Sequence, residues 1–356
     1  MAVAGGGIIG LSLALELALA GREVTVFERG RAMGESSWAA AGMLAAADPE
    51  NPPQLRALAD FSRALYPRFL DRVTQLSGVD VPIRTTQTIQ GAAEVPRGLI
   101  ELDAASLYSL APGISRHGLK FFLLEEQSLS PRDLALALPR AATAAGVTIH
   151  EECPVLGSTE DGNLIDVTTS QGEWTAETLV YATGAWTEGL ACIPVTPRKG
   201  QMVAVSLADG PQPGVVLRTP EIYLVPRGNG RMVIGATVEK AGFDKLVHDS
   251  AIAKLIAEAA ALWPPVRDAK IIETWAGLRP GTPDDLPVIG SLSDCGGEEI
   301  APDRKTLTWV AAGHFRNGIQ LAPGTARLLK QMILGEALSI DASPYRCGRF
   351  ALSSVQ

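Results

Sequence analysis

The chain has 356 residues, enough for one large domain or two intimate ones with a substantial core. Apolar and charged fractions of 46% and 20% are those of a soluble globular enzyme. A net charge of −8, with no lysine or arginine run, argues against nucleic acid or an anionic membrane as an electrostatic partner.

In chain order, Met1–Ala4 predicts a strand, Gly5-Gly-Gly7-Ile-Ile-Gly10 a tight turn entering a helix, and Val24–Phe27 a second strand ending at Glu28. Gly5 permits the sharp turn, Gly7 the approach of a pyrophosphate to backbone, and Gly10 close helix–sheet packing. Ile8, Ile9, Leu11, Leu15 and Leu17 give the helix its buried face, and Gly21 suits its left-handed end. The helix N-terminus offers N–H groups and a positive dipole to phosphates. Glu28 stands where a carboxylate accepts hydrogen bonds from an adenosine ribose, and an acid there would repel a 2′-phosphate. Strand, turn, helix, strand and acid in register predict dinucleotide binding. Only four residues precede Gly5, so either the first strand is short or the true start lies upstream. Glycines and Glu16 interrupt this stretch, which has no basic lead or cleavage site, so a signal peptide or membrane span is not expected.

Gly34–Gly42 is rich in small residues, so backbone can approach a flat ligand closely. Residues 54 to 76 have helical spacing, with Pro67 expected to divide them into two helices. A second region begins at the strand-like Val81–Ile89, followed by a short helix within 101–115 and a strand at Lys120–Leu124. Ser130-Pro131 with Asp133 predicts a capped helix running to Gly146, and Val147–Ile149 returns to the first sheet. Asp161-Gly162 predicts a hairpin, and Thr178–Trp186 a buried strand entering a small-residue turn. Residues 201–238 alternate as antiparallel strands. A helix at 250–262, strands at 271–275 and 306–312, and a final helix from Ala322 to Leu334 complete the chain. No repeat or linker separates the regions, so the two domains are expected to interleave. Cys153, Cys192, Cys295 and Cys347 are scattered, without CxxC or clustered histidines. Four free thiols in a reducing cytoplasm are expected, with no disulfide frame and no metal site.

Five stretches now stand in order: Gly5–Gly10 with Glu28, Ser36–Leu44, Ala182-Thr-Gly-Ala-Trp186, Trp275-Ala-Gly-Leu-Arg-Pro280 and Gly313-His-Phe-Arg-Asn-Gly318. With them the chain resembles the FAD-dependent amine and D-amino-acid oxidase superfamily, most closely the bacterial glycine oxidases of thiamine biosynthesis. The resemblance spans nearly the whole chain. It implies an α/β fold, α+β in its substrate part, in which a Rossmann-type FAD-binding domain interleaves with an antiparallel-sheet substrate domain. The FAD domain would take residues 1–79, 129–196 and 277–346, the substrate domain 80–128 and 197–276, and a tail 347–356.

The implied cofactor is FAD, bound non-covalently. Related sarcosine oxidases tether flavin through a cysteine soon after the Arg-Pro motif, but Gly281–Val288 has none, so denaturation is expected to release all the yellow colour. The expected cofactor contacts are Gly5, Gly7, Ile8, Ile9, Gly10, Glu28, Arg29, Ser36, Ser37, Ala40, Ala41, Gly42, Met43, Val155, Thr183, Gly184, Trp186, Arg279, His314, Arg316, Asn317, Gly318 and Ile319. Arg279 is the expected anchor for a substrate carboxylate, because a guanidinium fork neutralises it with two parallel charge-assisted bonds. Tyr223 would touch the same carboxylate, and Arg316 completes the catalytic set, with backbone N–H groups of 316–319 facing the flavin O2. Met43, Glu221 and Val238 are expected in the substrate pocket. Glu221 stands where glycine oxidases carry histidine, and Val238 where methionine occurs, so a substrate larger than glycine is open, and Glu221 either favours a cationic group or faces solvent.

The implied reaction is oxidative deamination of glycine, other small primary or secondary amines, or D-amino acids. Hydride passes from the α-carbon to flavin N5 without a protein base, and molecular oxygen is the expected acceptor. The alternative is a dehydrogenase of the same fold using a quinone or other carrier. A tRNA-modifying oxidase is disfavoured by the acidic charge balance. A homo-oligomer is left open by the sequence.

Overall fold

A computed structural model describes residues 1–115, 118–189, 193–207, 212–296 and 306–354. Two large sheets carry the chain. The first has six strands in the order Val288–Ser291, Thr308–Ala312, Leu179–Tyr181, Ala2–Ala4, Thr25–Phe27, Thr148–His150. Its pairs are parallel except at the edge strand Val288–Ser291. Alternation sets its two faces. Val3, Val26 and Val180 pack under the helices Ile8–Leu19, Arg56–Ser77, Pro131–Ala144 and Gly318–Leu334. Ala2, Ala4, Phe27 and Leu179 face Ile165, Val167 and Ala176 of a three-stranded meander. The Asp161-Gly162 hairpin joins two of its strands, Val155–Asp161 and Leu164–Thr169.

The second sheet has seven strands in the order Lys270–Gly281, Thr196–Ser206, Arg231–Gly235, Tyr223–Gly228, Val216–Arg218, Thr88–Ala92, Lys120–Leu124. One face packs Val203, Val205, Leu224 and Ile234 beneath the helix Asp249–Leu262 and Trp263. The other face, with Met202, Ala204, Val216 and Val225, looks at Ala41 of the first sheet's glycine-rich loop. The functional region lies between this face and the ends of the parallel strands, as expected at the carboxyl edge of an open parallel sheet.

Three expectations are corrected. Pro67 does not split its segment, which forms one helix, Arg56–Ser77. Both halves of that helix bury a stripe (Leu58, Ala59 and Tyr66, then Phe69, Leu70 and Val73), and this packing outweighs one lost backbone bond. The last helix begins at Gly318 rather than Ala322 and contains Pro323. Pro323 has no N–H for the Ile319 carbonyl, and the Tyr66 hydroxyl donates to that oxygen instead. Ser62 Oγ donates to the Gln320 carbonyl at 2.6 Å and accepts from Gly324 N–H at 3.1 Å. Finally, Cys295 and Cys347 are joined in a disulfide, so four free thiols are not present. The C-terminal segment folds back beside Val288–Ser291 and buries both cysteines with Ile193, Val195 and Val310, a juxtaposition that scattered positions do not reveal. Cys153 is free and buried, and Cys192 lies outside the described residues. Among the described residues no helix is long and apolar enough to cross a membrane, and no His/Cys/Asp/Glu group is placed to hold a metal.

Candidate active site

A cavity of about 820 Å³ runs from the first glycine loop to the face of the seven-stranded sheet. Every site residue expected from the sequence lines it except Gly10, which lies beneath its floor.

At the nucleotide end, Gly5 has φ +110°, and a Cβ there would stand 2.3 Å from the Ala182 carbonyl oxygen. A Cβ on Gly10 would stand 2.0 Å from the Gly5 oxygen. Neither position can carry a side chain without moving backbone, so the turn and the close helix approach are specified by glycine. The helix Ile8–Leu19 has no side-chain cap at Gly7. Ser37 Oγ accepts the Ile8 N–H at 2.9 Å, and the rest of the first turn has no intrahelical acceptor, leaving donors for phosphate oxygens. Glu28 is buried, its oxygens accepting Gly6 N–H at 2.7 Å and Gly30 N–H at 2.8 Å. Burial pushes its pKa up while those two bonds pull it down. Each carboxylate oxygen keeps a further lone pair for a ribose hydroxyl. The Arg29 guanidinium lies 4.0 Å over the Trp186 ring, and Val155, Thr183 and Gly184 complete this end. Phe243 stacks on Trp186 with centroids 5.6 Å apart, and Lys245 reaches Glu35 at 3.0 Å, so the connection between the strand Arg231–Gly235 and the helix Asp249–Leu262 rests on the nucleotide side.

Between the sheets runs the loop Ala40–Met43. Gly42 has φ +75°, and a Cβ there would meet the Leu129 carbonyl oxygen at 2.2 Å. Ser36 Oγ donates to the Leu278 carbonyl, and Arg227 donates to the Ala41 carbonyl. Burial lowers the Arg227 pKa to about 10, leaving it a cation at neutral pH.

The substrate end is built on register. Gln90, Arg218, Tyr223, Gly235, Met202 and Trp275 are successive cross-strand partners, so their side chains share the cavity face. Arg279, Gly277 and Gly200 extend that face along the outer two strands. The Arg279 side chain lies flat on Gly200, where a Cβ would be 2.2 Å from its Nη1, and Nη1 donates to the Thr237 carbonyl at 3.0 Å. Tyr223 lies over Gly235, whose Cβ would be 2.7 Å from the Tyr223 oxygen. Burial pushes the Tyr223 pKa up and the Arg279 guanidinium beside it pulls it down. These strand-interior glycines were not singled out from sequence, although an isolated glycine in a strand pattern signals close approach.

Beyond Tyr223 the wall is charged. Arg218, buried, donates from Nε to Gln90 and stands 3.0 Å from Glu126 and 3.6 Å from Asp48. Arg316 Nη1 donates to Glu50 at 2.9 Å, and its Nη2 is 3.5 Å from Asp48, so its guanidinium is held by acids of the 48–51 loop. Asn317 Nδ2 donates to Asn51 at 3.1 Å. His314 does not point to reacting groups; its Nε2 is 3.0 Å from Thr325 Oγ1, and burial drives its pKa down to about 3. Gly318 and Ile319 open the last helix, which also has no side-chain cap. Met43, Glu221 and Val238 line the same end. Arg218, Glu126 and Arg227 were missed from sequence.

A family model described as FAD dependent oxidoreductase matches residues 1–332. The chain belongs to this family. As an FAD-dependent oxidoreductase it is 35% identical to the glycine oxidase of Pseudomonas aeruginosa, covering 96% of this chain and 97% of that protein. It is 34% identical to the bifunctional protein ThiO/ThiG of Trichormus variabilis, covering 98% of this chain and 54% of that one. Among solved structures, the glycine oxidase of Geobacillus kaustophilus superposes with a TM-score of 0.89 at 30% identity, covering 98% of both chains. The residues present fit FAD: a glycine cradle that no side chain could share, two helix starts without a side-chain cap and the buried Glu28 carboxylate open on one cavity.

Proposed function

We propose that this enzyme oxidises glycine, other small primary or secondary amines, or D-amino acids at the α-carbon, with FAD held non-covalently. The observation that carries the reading is the state of Arg279. Among the described residues no carboxylate pairs with it, whereas Arg218 and Arg316, the other arginines lining this end, are each bound by acids. A free fork beside a buried hydroxyl is suited to one carboxylate. Arg279 and Tyr223 would fix that carboxylate, and the missing side chains of Gly200 and Gly235 let the guanidinium and the phenol ring lie down on the sheet and face the cavity together. When bound, FAD supplies the hydride acceptor and the route of the electrons to dioxygen.

The chain's own contribution is position and charge. With the amine neutral, breaking the α-carbon–hydrogen bond lets the nitrogen lone pair form a carbon–nitrogen double bond. No protein base is required, in keeping with a His314 that stays neutral and engaged with Thr325. The imine then leaves and is hydrolysed by water. Gly5, Gly7 and the helix start Ile8–Ile9 would take the pyrophosphate, Glu28 the ribose, and the 316–319 backbone the negative end of the ring system.

The experiment is anaerobic mixing of the yellow enzyme with glycine, sarcosine and several D-amino acids, followed by flavin absorbance. Bleaching by at least one is expected, with peroxide formed stoichiometrically when air is admitted. Failure of every amine to bleach the flavin would overturn the reading, and bleaching without peroxide would replace oxygen by another acceptor.

A further inference from the structure

Charge on the cavity wall is compensated at most positions. At the substrate end the wall carries Asp48, Glu50, Arg218, Glu221, Arg279 and Arg316. Four of them cancel through the contacts Arg218–Asp48, Arg316–Asp48 and Arg316–Glu50, and Glu126 behind Arg218 adds another acid. Arg279 and Glu221 are left. Among the described residues neither is in an ion pair, and the Glu221 carboxylate accepts only from the Thr219 hydroxyl, at 3.1 Å. The two uncompensated charges belong to one sheet. Glu221 stands two residues before the strand Tyr223–Gly228, and the Arg279 side chain lies over Gly200 of the strand Thr196–Ser206. Those strands are two places apart in the sheet, roughly 10 Å. On the floor between them Gly200 and Gly235 have no side chains, the Tyr223 ring lies flat over Gly235, and Val238 at the rim is 64% exposed.

Resting on Arg279 as the carboxylate anchor, we propose that Glu221 is a specificity residue, and that the favoured substrates carry a second, cationic group at the far end of the side chain. Lysine- or ornithine-like D-amino acids are that class. A second carboxylate is the class disfavoured, because the other two arginines that line this end, Arg218 and Arg316, are already bound by acids.

The holoenzyme's second-order rate constant for anaerobic flavin reduction is compared for D-lysine, D-norleucine and D-glutamate. D-norleucine is D-lysine without its ammonium group. Because Glu221 is exposed, D-lysine is expected to exceed D-norleucine by about two- to fivefold at low salt, a margin that shrinks as salt is added. In Glu221→Gln the ratio falls towards that set by the differing α-amine basicities alone, and in Glu221→Lys D-glutamate gains on D-lysine. An unchanged D-lysine to D-norleucine ratio in Glu221→Gln, or no preference and no salt dependence in the wild type, overturns the inference. If D-norleucine or glycine still bleaches the flavin, the proposed reaction survives that outcome. If none of these amino acids does, both fall.

Discussion

Gly200 illustrates how one missing side chain sets the geometry of another. A Cβ there would collide with the far end of Arg279, a flexible terminus, so Gly200→Ala is expected to move the guanidinium rather than unfold the sheet. Turnover efficiency should fall by about tenfold or more while unfolding free energy changes by less than about 1 kcal/mol, checked by steady-state kinetics beside urea denaturation. Arg279→Ala removes the fork itself and should cost about 3 kcal/mol or more in kcat/KM, borne mainly by KM. Arg279 was singled out through the Trp275–Pro280 stretch and Tyr223 through the family resemblance alone, and both line the cavity. Arg218 and Glu126 were not singled out, because Arg218 meets Gln90, 128 positions away, and Glu126, 92 positions away, only once the seven-stranded sheet has found its register; Arg227 likewise meets Ala41 only in the folded chain. His314 bears on stability. Its folded pKa, about 3, lies below the unfolded value of 6.5, so acidification protonates the unfolded chain first. The stability it supports is complete above about pH 6.5 and is lost as pH falls towards 3. Between pH 7 and 5.5 the loss should be about 1 kcal/mol, and His314→Gln should flatten that part of the urea-midpoint profile.

At the scale of elements, Pro67 was read by a local rule that packing overruled, and the last helix starts a turn earlier than expected, ahead of Pro323. The helices Arg56–Ser77 and Gly318–Leu334 contact closely enough for Ser62 and Tyr66 to reach the backbone around Pro323. Local sequence shows the lost N–H but not the distant hydroxyl that replaces it. Tyr66→Phe would leave the Ile319 carbonyl buried without its donor, and a loss of about 1–3 kcal/mol in unfolding free energy is expected, measured by denaturant titration. Because Ile319 also lines the cavity, the same variant should hold flavin less tightly. The first strand–turn–helix–strand unit was legible almost residue by residue, since its constraints are short-range: a positive φ at Gly5 and no space at Gly10.

For the whole molecule, what escaped the sequence was closure of the chain's end onto its body. Four cysteines without a motif read as free thiols, yet Cys295 and Cys347, 52 residues apart, meet in a disulfide. Thiol titration of the denatured protein should find two fewer groups before reduction than after it. Equal counts would place both cysteines in the reduced state. The two sheets were anticipated as a nucleotide side and a substrate side, and the facing of one upon the other was not derivable from periodicity, which reports a face but never its partner. That separation has a practical outcome. Exchanges at Glu221 and Val238, away from the Arg227–Ala41 contact, are expected to redirect which molecule is consumed while the prosthetic group stays seated, so a library at those positions can be screened by colour first and appetite second.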